Sequence, residues 1–191
     1  MAPTESSRRG HRTLVLIFLV CIVPFVASYA VYYLWPPESR MNYGTLIEPR
    51  PLPDLGLVRS DGSRFSLAEL KGRWVMLHID ASACAESCRR KLYVMRQVRM
   101  TQGREIGRIE RVWLVRDGGP PDVPLLQDYV GTRVARVQAG LLSAFPAERD
   151  VADHIYLIDP LGNLMLRFPR DADPNRMKKD LERLLKVSKV G

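Results

Sequence analysis

The chain has 191 residues with 29 Lys and Arg against 21 Asp and Glu, a formal charge of +8. With about 40 residues set aside at the start, about 150 remain, enough for one globular domain with an adequate core. Only three cysteines are present, and Cys21 falls in an apolar run, so a single pair is left to the folded part, which excludes a disulfide scaffold.

Residues 1–12 carry Arg8, Arg9 and Arg12, and the 22 residues from Leu14 to Trp35 hold no charge. That run is long enough to cross a hydrocarbon core of about 30 Å. Tyr29, Tyr32, Tyr33 and Trp35 follow it in place of a small-residue cleavage site and read as an interfacial aromatic belt. The expectation is a cytoplasmic N-terminus over 1–12, a single transmembrane anchor over 13–35 and a domain facing the periplasm from a bacterial inner membrane. Pro24 is a kink position, and Cys21 is expected to face lipid or to pack without a partner.

Residues 36–53, with Pro36-Pro37 and Glu48-Pro-Arg-Pro-Leu-Pro53, read as an extended proline-rich tether, leaving 54–191 as the domain. Leu55 to Val58 and Arg64 to Ser66 flank the turn Ser60-Asp-Gly-Ser63 and predict a hairpin. Leu67 to Leu70 is a short helical turn. Trp74 to Ile79 is an almost unbroken apolar run, as expected of a strand covered on both faces.

Ala81-Ser82-Ala83 leads into Cys84, and Cys84, Cys88, Leu92 and Met95 follow helical spacing. Both sulfurs are expected at the amino end of that helix, where unpaired N–H groups and the macrodipole favour a thiolate. Cysteines four apart lie roughly 5–6 Å apart at Cβ, which suits a shared soft metal ion or a disulfide. Two small buried residues are the bland alternative.

The helix is predicted to end near Thr101 to Gly103, followed by a buried strand over Ile109 to Val115. Short helical pieces at Leu125 to Tyr129 and Leu141 to Phe145 flank a weak strand at Val134 to Val137. His154 to Ile158 is a third strand, turning at Asp159-Pro-Leu-Gly162 to return as Asn163 to Phe168. Asp173-Pro174 opens a last amphipathic helix to about Val187, with Met177, Leu181, Leu184 and Leu185 buried. This order predicts an α/β, thioredoxin-like domain behind one transmembrane helix.

Arg89, Arg90, Arg96, Arg99, Arg104, Arg108 and Arg111 make a basic surface suited to an acidic partner or an anionic membrane, or else a solvated helix face. The interleaved aromatic and basic residues of a nucleic-acid module are absent, so no nucleic acid is expected as a partner.

With Leu70-Lys-Gly-Arg-Trp-Val, Cys84-Ala-Glu-Ser-Cys88 and Asp153-His154 ahead of Tyr156-Leu-Ile-Asp-Pro-Leu-Gly, the chain resembles the Sco/SenC family over roughly residues 50–187. These are membrane-anchored thioredoxin-like proteins that handle copper in cytochrome c oxidase assembly. The resemblance implies Cys84, Cys88 and His154 as ligands of a copper ion, Cu(I) with Cu(II) also accommodated, and Cys84 and Cys88 as a redox pair. It implies an oxidase subunit with a copper site as partner and a monomeric assembly factor in place of an enzyme. Ala85 stands where the family usually has Pro. His154 is two positions from Tyr156 where the family has several, and an odd displacement along a strand turns a side chain to the other face unless the chain loops or bulges at Asp153.

His154 stays open between ligand and structural histidine. His78 reads as packed and hydrogen-bonded in preference to a ligand, and His11 belongs with the basic cluster. Asp80 and Asp153 are read as tuning the thiols or capping turns. Two other functions stay open. One is a general membrane-anchored thiol-disulfide oxidoreductase, against which stand the three-residue spacer and the absence of Pro just before the strand at His154. The other is an interaction module with a structural disulfide, whose short closed loop would yield little stabilisation.

Overall fold

In the computed structural model, residues 5–34, 42–121 and 123–188 are described. The chain divides into two compact units, one ending at Met41 and one beginning at Asn42. The first is helix α1 (Glu5–Leu34). Its segment Leu14–Val31, of mean hydropathy 2.7, is long and apolar enough to cross a membrane, and the rings of Tyr29 and Tyr33 stack at 5.7 Å between centroids. Trp35 and the Pro36-Pro37 part of the expected tether lie outside the described residues.

The second unit is built on one eight-stranded sheet. In chain order its strands are β1 (Thr45–Pro51), β2 (Leu57–Arg59), β3 (Arg64–Phe65), β4 (Trp74–Asp80), β5 (Ile109–Val115), β6 (Thr132–Arg136), β7 (Ile155–Ile158) and β8 (Asn163–Phe168). They lie side by side as β1-β8-β7-β4-β5-β6-β2-β3. β4, β5 and β6 run parallel, and β7 adds to β4 antiparallel, with Val75 opposite Ile158 and His78 opposite Ile155. The helices are α2 (Glu86–Met100), α3 (Val123–Asp128) and α4 (Pro174–Val187).

Alternation along β4 decides what each face buries. Trp74 and Met76 pack with Ile155, Leu157, Val94, Met95, Met177 and Leu181 beneath α2 and α4. Val75, Leu77 and Ile79 pack on the other face with Tyr156, Ile158, Leu55 and Phe145, under loops and 3-10 turns. This central strand is therefore apolar at nearly every position, because side chains of both parities leave water; each is worth roughly 1.5–3 kcal/mol by burial. Asp173 caps α4, accepting from the N–H groups of Asn175 and Arg176, as the Asp-Pro start predicts.

The tether reading is corrected at its C-terminal part. Residues 45–51 pair antiparallel with β8, and the fold begins before residue 54. Pro49 and Pro51 are compatible with a strand here because β1 is an edge, where a missing N–H removes no ladder bond, and the register shifts between Leu46 and Arg50. Gly44 donates its N–H to the buried carboxylate of Asp180 in α4, which fixes the start of the strand.

Part of the basic surface is tied back to the fold, while Arg89, Arg90, Arg96 and Arg104 remain exposed. Arg89, Arg96, Arg99 and Arg111 donate to the carbonyls of Cys84, Asp128, Ile109 and Val130, and Arg108 donates to those of Leu185 and Ser188. Arg111, placed by parity inside the sheet, is only 4% exposed.

Candidate metal and redox centre

The centre forms where β4 ends and α2 begins. Asp80 is the last residue of β4, and its carbonyl accepts from the N–H of Arg116, beyond the end of β5. The connecting loop is held from the side: the N–H and hydroxyl of Ser82 both donate to the Asp117 carboxylate, the hydroxyl at 2.9 Å. Burial pushes that carboxyl upward, but the Ser82 donors and the Gly119 N–H together outweigh it and hold the carboxyl below its ordinary value.

Cys84 follows with φ +38°, the one non-glycine residue of positive φ among the described residues. Such a conformation persists only where the surroundings hold it. Here the N–H of Cys84 donates to the Ala81 carbonyl at 3.1 Å, and Arg89 holds the Cys84 carbonyl.

Cys84 thus precedes the helix instead of sitting in its first turn, while Cys88 lies in that turn, three residues past the Ala85 cap. The two are joined as a disulfide with Cα atoms 5.1 Å apart. Ala85 offers no side chain to the first-turn N–H groups, so the helix end retains its pull on negative charge. Neither cysteine is exposed. Cys84 is 1% and Cys88 0% exposed, in a cluster with Leu92, Trp113, Val115 and Leu125.

Parity brings two more groups to this face. His78 and Asp80 are two apart on β4, and the neighbours across β5 are Trp113 and Val115, the residues packed on the cysteines. One donor atom from each of His78, Asp80 and Cys88 lies within 4.8 Å of the others, the single such cluster of three among the described residues. His78 is fully buried; its Nδ1 is 3.1 Å from the carbonyl oxygen of His154. Its Nε2 stands 3.3 Å from Oδ2 of Asp80 and has no hydrogen-bond partner within bonding geometry among the described residues.

Burial pushes the Asp80 carboxyl upward, but the His78 ring, the Ala81 N–H and Arg116 outweigh it and leave the carboxyl below its ordinary value. Lys91, 4% exposed on α2, donates to the Ser87 carbonyl. Burial lowers its pKa against the opposing fields of Asp80 and Asp153.

His154 is not brought into this group. It shares the parity of Tyr156 and Ile158, which belong to the opposite face of the sheet. Its ring meets Tyr156 edge-on at 5.9 Å and its Nδ1 lies 2.9 Å from the Phe168 carbonyl oxygen. It lines a surface cleft of about 230 Å3 with Arg149, Arg167 and Arg170, away from the cysteines. The chain does loop at Asp153, in the 3-10 turn Val151–Asp153, but it leaves that turn extended at His154. The imidazole beside Cys88 is that of His78, which the sequence reading placed as a packed residue and which is also fully buried. Its signal was the i, i+2 pairing with Asp80 on the strand that leads into Cys84.

The donor set of two cysteine sulfurs, one imidazole and one carboxylate suits a soft or borderline cation once the disulfide is reduced. A thioredoxin-like domain with a Cys-x3-Cys disulfide at the head of its first long helix, behind one N-terminal transmembrane helix, defines a class of membrane-anchored thiol protein. Residues 74–188 match the family described as "Transmembrane-like, thioredoxin-like, C-terminal domain", and residues 4–34 match "Transmembrane-like, N-terminal domain". The chain belongs to this transmembrane-like, thioredoxin-like family.

A protein of Stutzerimonas stutzeri named "Putative copper-binding protein" is 32% identical over 88 residues, 46% of this chain and 41% of that protein; the match thus spans less than half of the relative's length. Copper-bound yeast Sco1 superposes with a TM-score of 0.64 at 16% identity, covering 74% of this chain and 96% of that one. Apo Sco1 from Thermus thermophilus gives 0.62 at 17% identity, over 77% and 99%. The fold is therefore the one these Sco proteins share, as the sequence resemblance implies.

Proposed function

We propose that this chain is a membrane-anchored copper-handling protein that serves assembly of a copper site on a cytochrome c oxidase subunit. Cys84 and Cys88 bind Cu(I) as thiolates when reduced and form the disulfide when oxidised. The observation that carries this reading is the buried cysteine pair on the same sheet face as an imidazole and a carboxylate. The likeness in fold to a copper-bound Sco1 and the name of the bacterial relative support it.

The chain's own residues do three things in this function. The head of α2 favours the thiolate form of Cys88 by its dipole and unpaired N–H groups. The loop clamped by Asp117 sets the Cys84 sulfur against Cys88. The apolar shell of Leu92, Trp113, Val115 and Leu125 excludes water and competing thiols from the bound ion, which supplies soft, low-coordinate binding to sulfur.

Arg8, Arg9 and Arg12 ahead of the apolar segment Leu14–Val31 and tyrosines toward its far end support an inner-membrane anchor with the domain in the periplasm. That placement raises the domain's effective concentration near a membrane-embedded oxidase.

Anaerobic titration of the reduced full-length protein with Cu(I) tests the reading. Tight binding of one ion per chain, abolished by Cys88→Ser, is expected. No binding, with rapid catalysis of insulin reduction instead, would replace it by the general thiol-disulfide oxidoreductase, which the Cys84–Cys88 disulfide itself favours.

A further inference from the structure

We propose that His78 supplies the nitrogen ligand of the metal site, through Nε2, with the Asp80 carboxylate as an additional oxygen donor. The inference rests on the copper reading above and names the rest of its ligand set.

The tautomer follows from the partners. A backbone carbonyl only accepts, so the Nδ1 that faces the His154 carbonyl oxygen at 3.1 Å carries hydrogen. In the neutral ring the lone pair is then on Nε2. That atom is fully buried, makes no hydrogen bond among the described residues and faces Oδ2 of Asp80 at 3.3 Å. Two lone-pair atoms confronting each other, one of them fully buried, are best satisfied by a cation between them, a proton or a metal ion. Cys88 supplies the third donor atom of the same cluster, and Cys84 is covalently bound to it.

A carbonyl accepting from Nδ1 is also the arrangement that fixes the ring orientation of a metal-bound histidine. Sulfur, sulfur and nitrogen suit Cu(I), and the carboxylate oxygen adds a harder donor suited to Cu(II).

Loading begins with the disulfide. A dithiol reductant delivers two electrons and two protons to the Cys84 and Cys88 sulfurs and is itself oxidised to a disulfide. Cu(I) then displaces the two thiol protons to solvent, with no change in its own oxidation state.

The test uses full-length protein in detergent with Cys21→Ser, so that only Cys84 and Cys88 offer thiols, reduced with dithiothreitol that is then removed under anaerobic conditions. Cu(I) affinity is measured by competition with a chromophoric chelator. His78→Ala and His78→Gln should each weaken binding by more than about tenfold, the lower end of what even an outer-shell partner costs, while His154→Ala leaves it unchanged.

The direct readout needs no variant. On addition of Cu(I), which is diamagnetic, the Nε2 resonance of 15N-labelled His78 should shift and that of His154 should not. If the parent protein binds Cu(I) while the His78 resonance and the His78→Gln affinity stay put, this inference is overturned and the copper reading survives. If the parent protein binds no Cu(I), both fall together.

Discussion

The backbone N–H of Gly44 reaches the carboxylate of Asp180 at 2.9 Å in a buried contact between residues 136 positions apart. Asp180 is 2% exposed, so its removal leaves an N–H without an acceptor away from water. Asp180→Ala should lower the unfolding free energy by about 1–3 kcal/mol, and Asp180→Asn, which keeps an oxygen, by less. Urea denaturation measures both. Gly44→Ala should destabilise by a similar amount, because a Cβ there would collide with Leu166 and overpacking costs about 1–3 kcal/mol. Unchanged midpoints would mean that this contact does not hold β1.

Acid should loosen the domain in part through Glu110. Burial raises its carboxyl, but Arg133 and Arg73 together hold it below the ordinary value of 4.5. A carboxyl with a folded pKa below its unfolded one contributes stability that is fully present above the ordinary value. The contribution is lost as pH falls through the lowered one. Melting temperature recorded from pH 6 down to pH 3, values on the order of those spanning the carboxylate range, should therefore fall less steeply in Glu110→Gln than in the parent protein. Parallel curves would count against the ion pairs with Arg73 and Arg133.

The disulfide should behave as a protected one. With Cys84 and Cys88 both buried, a small thiol reaches the bond only when the loop opens. Reduction by dithiothreitol should be slow in the native protein and accelerate in urea well below the unfolding midpoint. Asp117→Ala, which frees Ser82 and the loop ahead of Cys84, should speed reduction while the global unfolding midpoint stays close to the parent's. A native rate equal to that of the unfolded chain would mean that the bond is open to solvent.

Membrane orientation has its own readout. With arginines ahead of the apolar segment of α1 and aromatic residues at its end, a reporter fused after Gly191 should be active only outside the cytoplasm, and the mature protein should retain its first 35 residues. Cytoplasmic activity or a chain beginning near residue 35 would reverse the assignment.

The sequence carried much of this architecture where a single physical signal dominated. The apolar runs of β4 and β5, the Asp173-Pro174 start of α4 and the hairpin at Asp159 to Gly162 each reflect one local rule, and the thioredoxin-like order follows from them. β1 was not legible: Pro49 and Pro51 argue for a free spacer, and only pairing with β8, more than a hundred residues on, makes the segment a strand.

The site divides in the same manner. Cysteine spacing drew attention to Cys84 and Cys88, but the positive φ that takes Cys84 out of the helix has no local signature. His154 carries a family motif, yet its parity puts it beneath the wrong face. His78 and Asp80 become neighbours of Cys88 through the turn from β4 into α2, a tertiary fact that their i, i+2 spacing only hinted at.

The pairing of β1 with β8 also sets an order of events during synthesis. Strand β1 follows directly on the part of the chain that enters the membrane first, yet its partner leaves the ribosome about a hundred residues later. At about 5–20 residues per second that is a wait on the order of ten seconds. During it the strand's hydrogen-bonding edge has nothing of its own to close on. Prolines at positions 49 and 51 offer no N–H on the opposite edge, which lowers the chance that another nascent chain pairs there first. The same residues that disguise the strand in the sequence protect it while it waits.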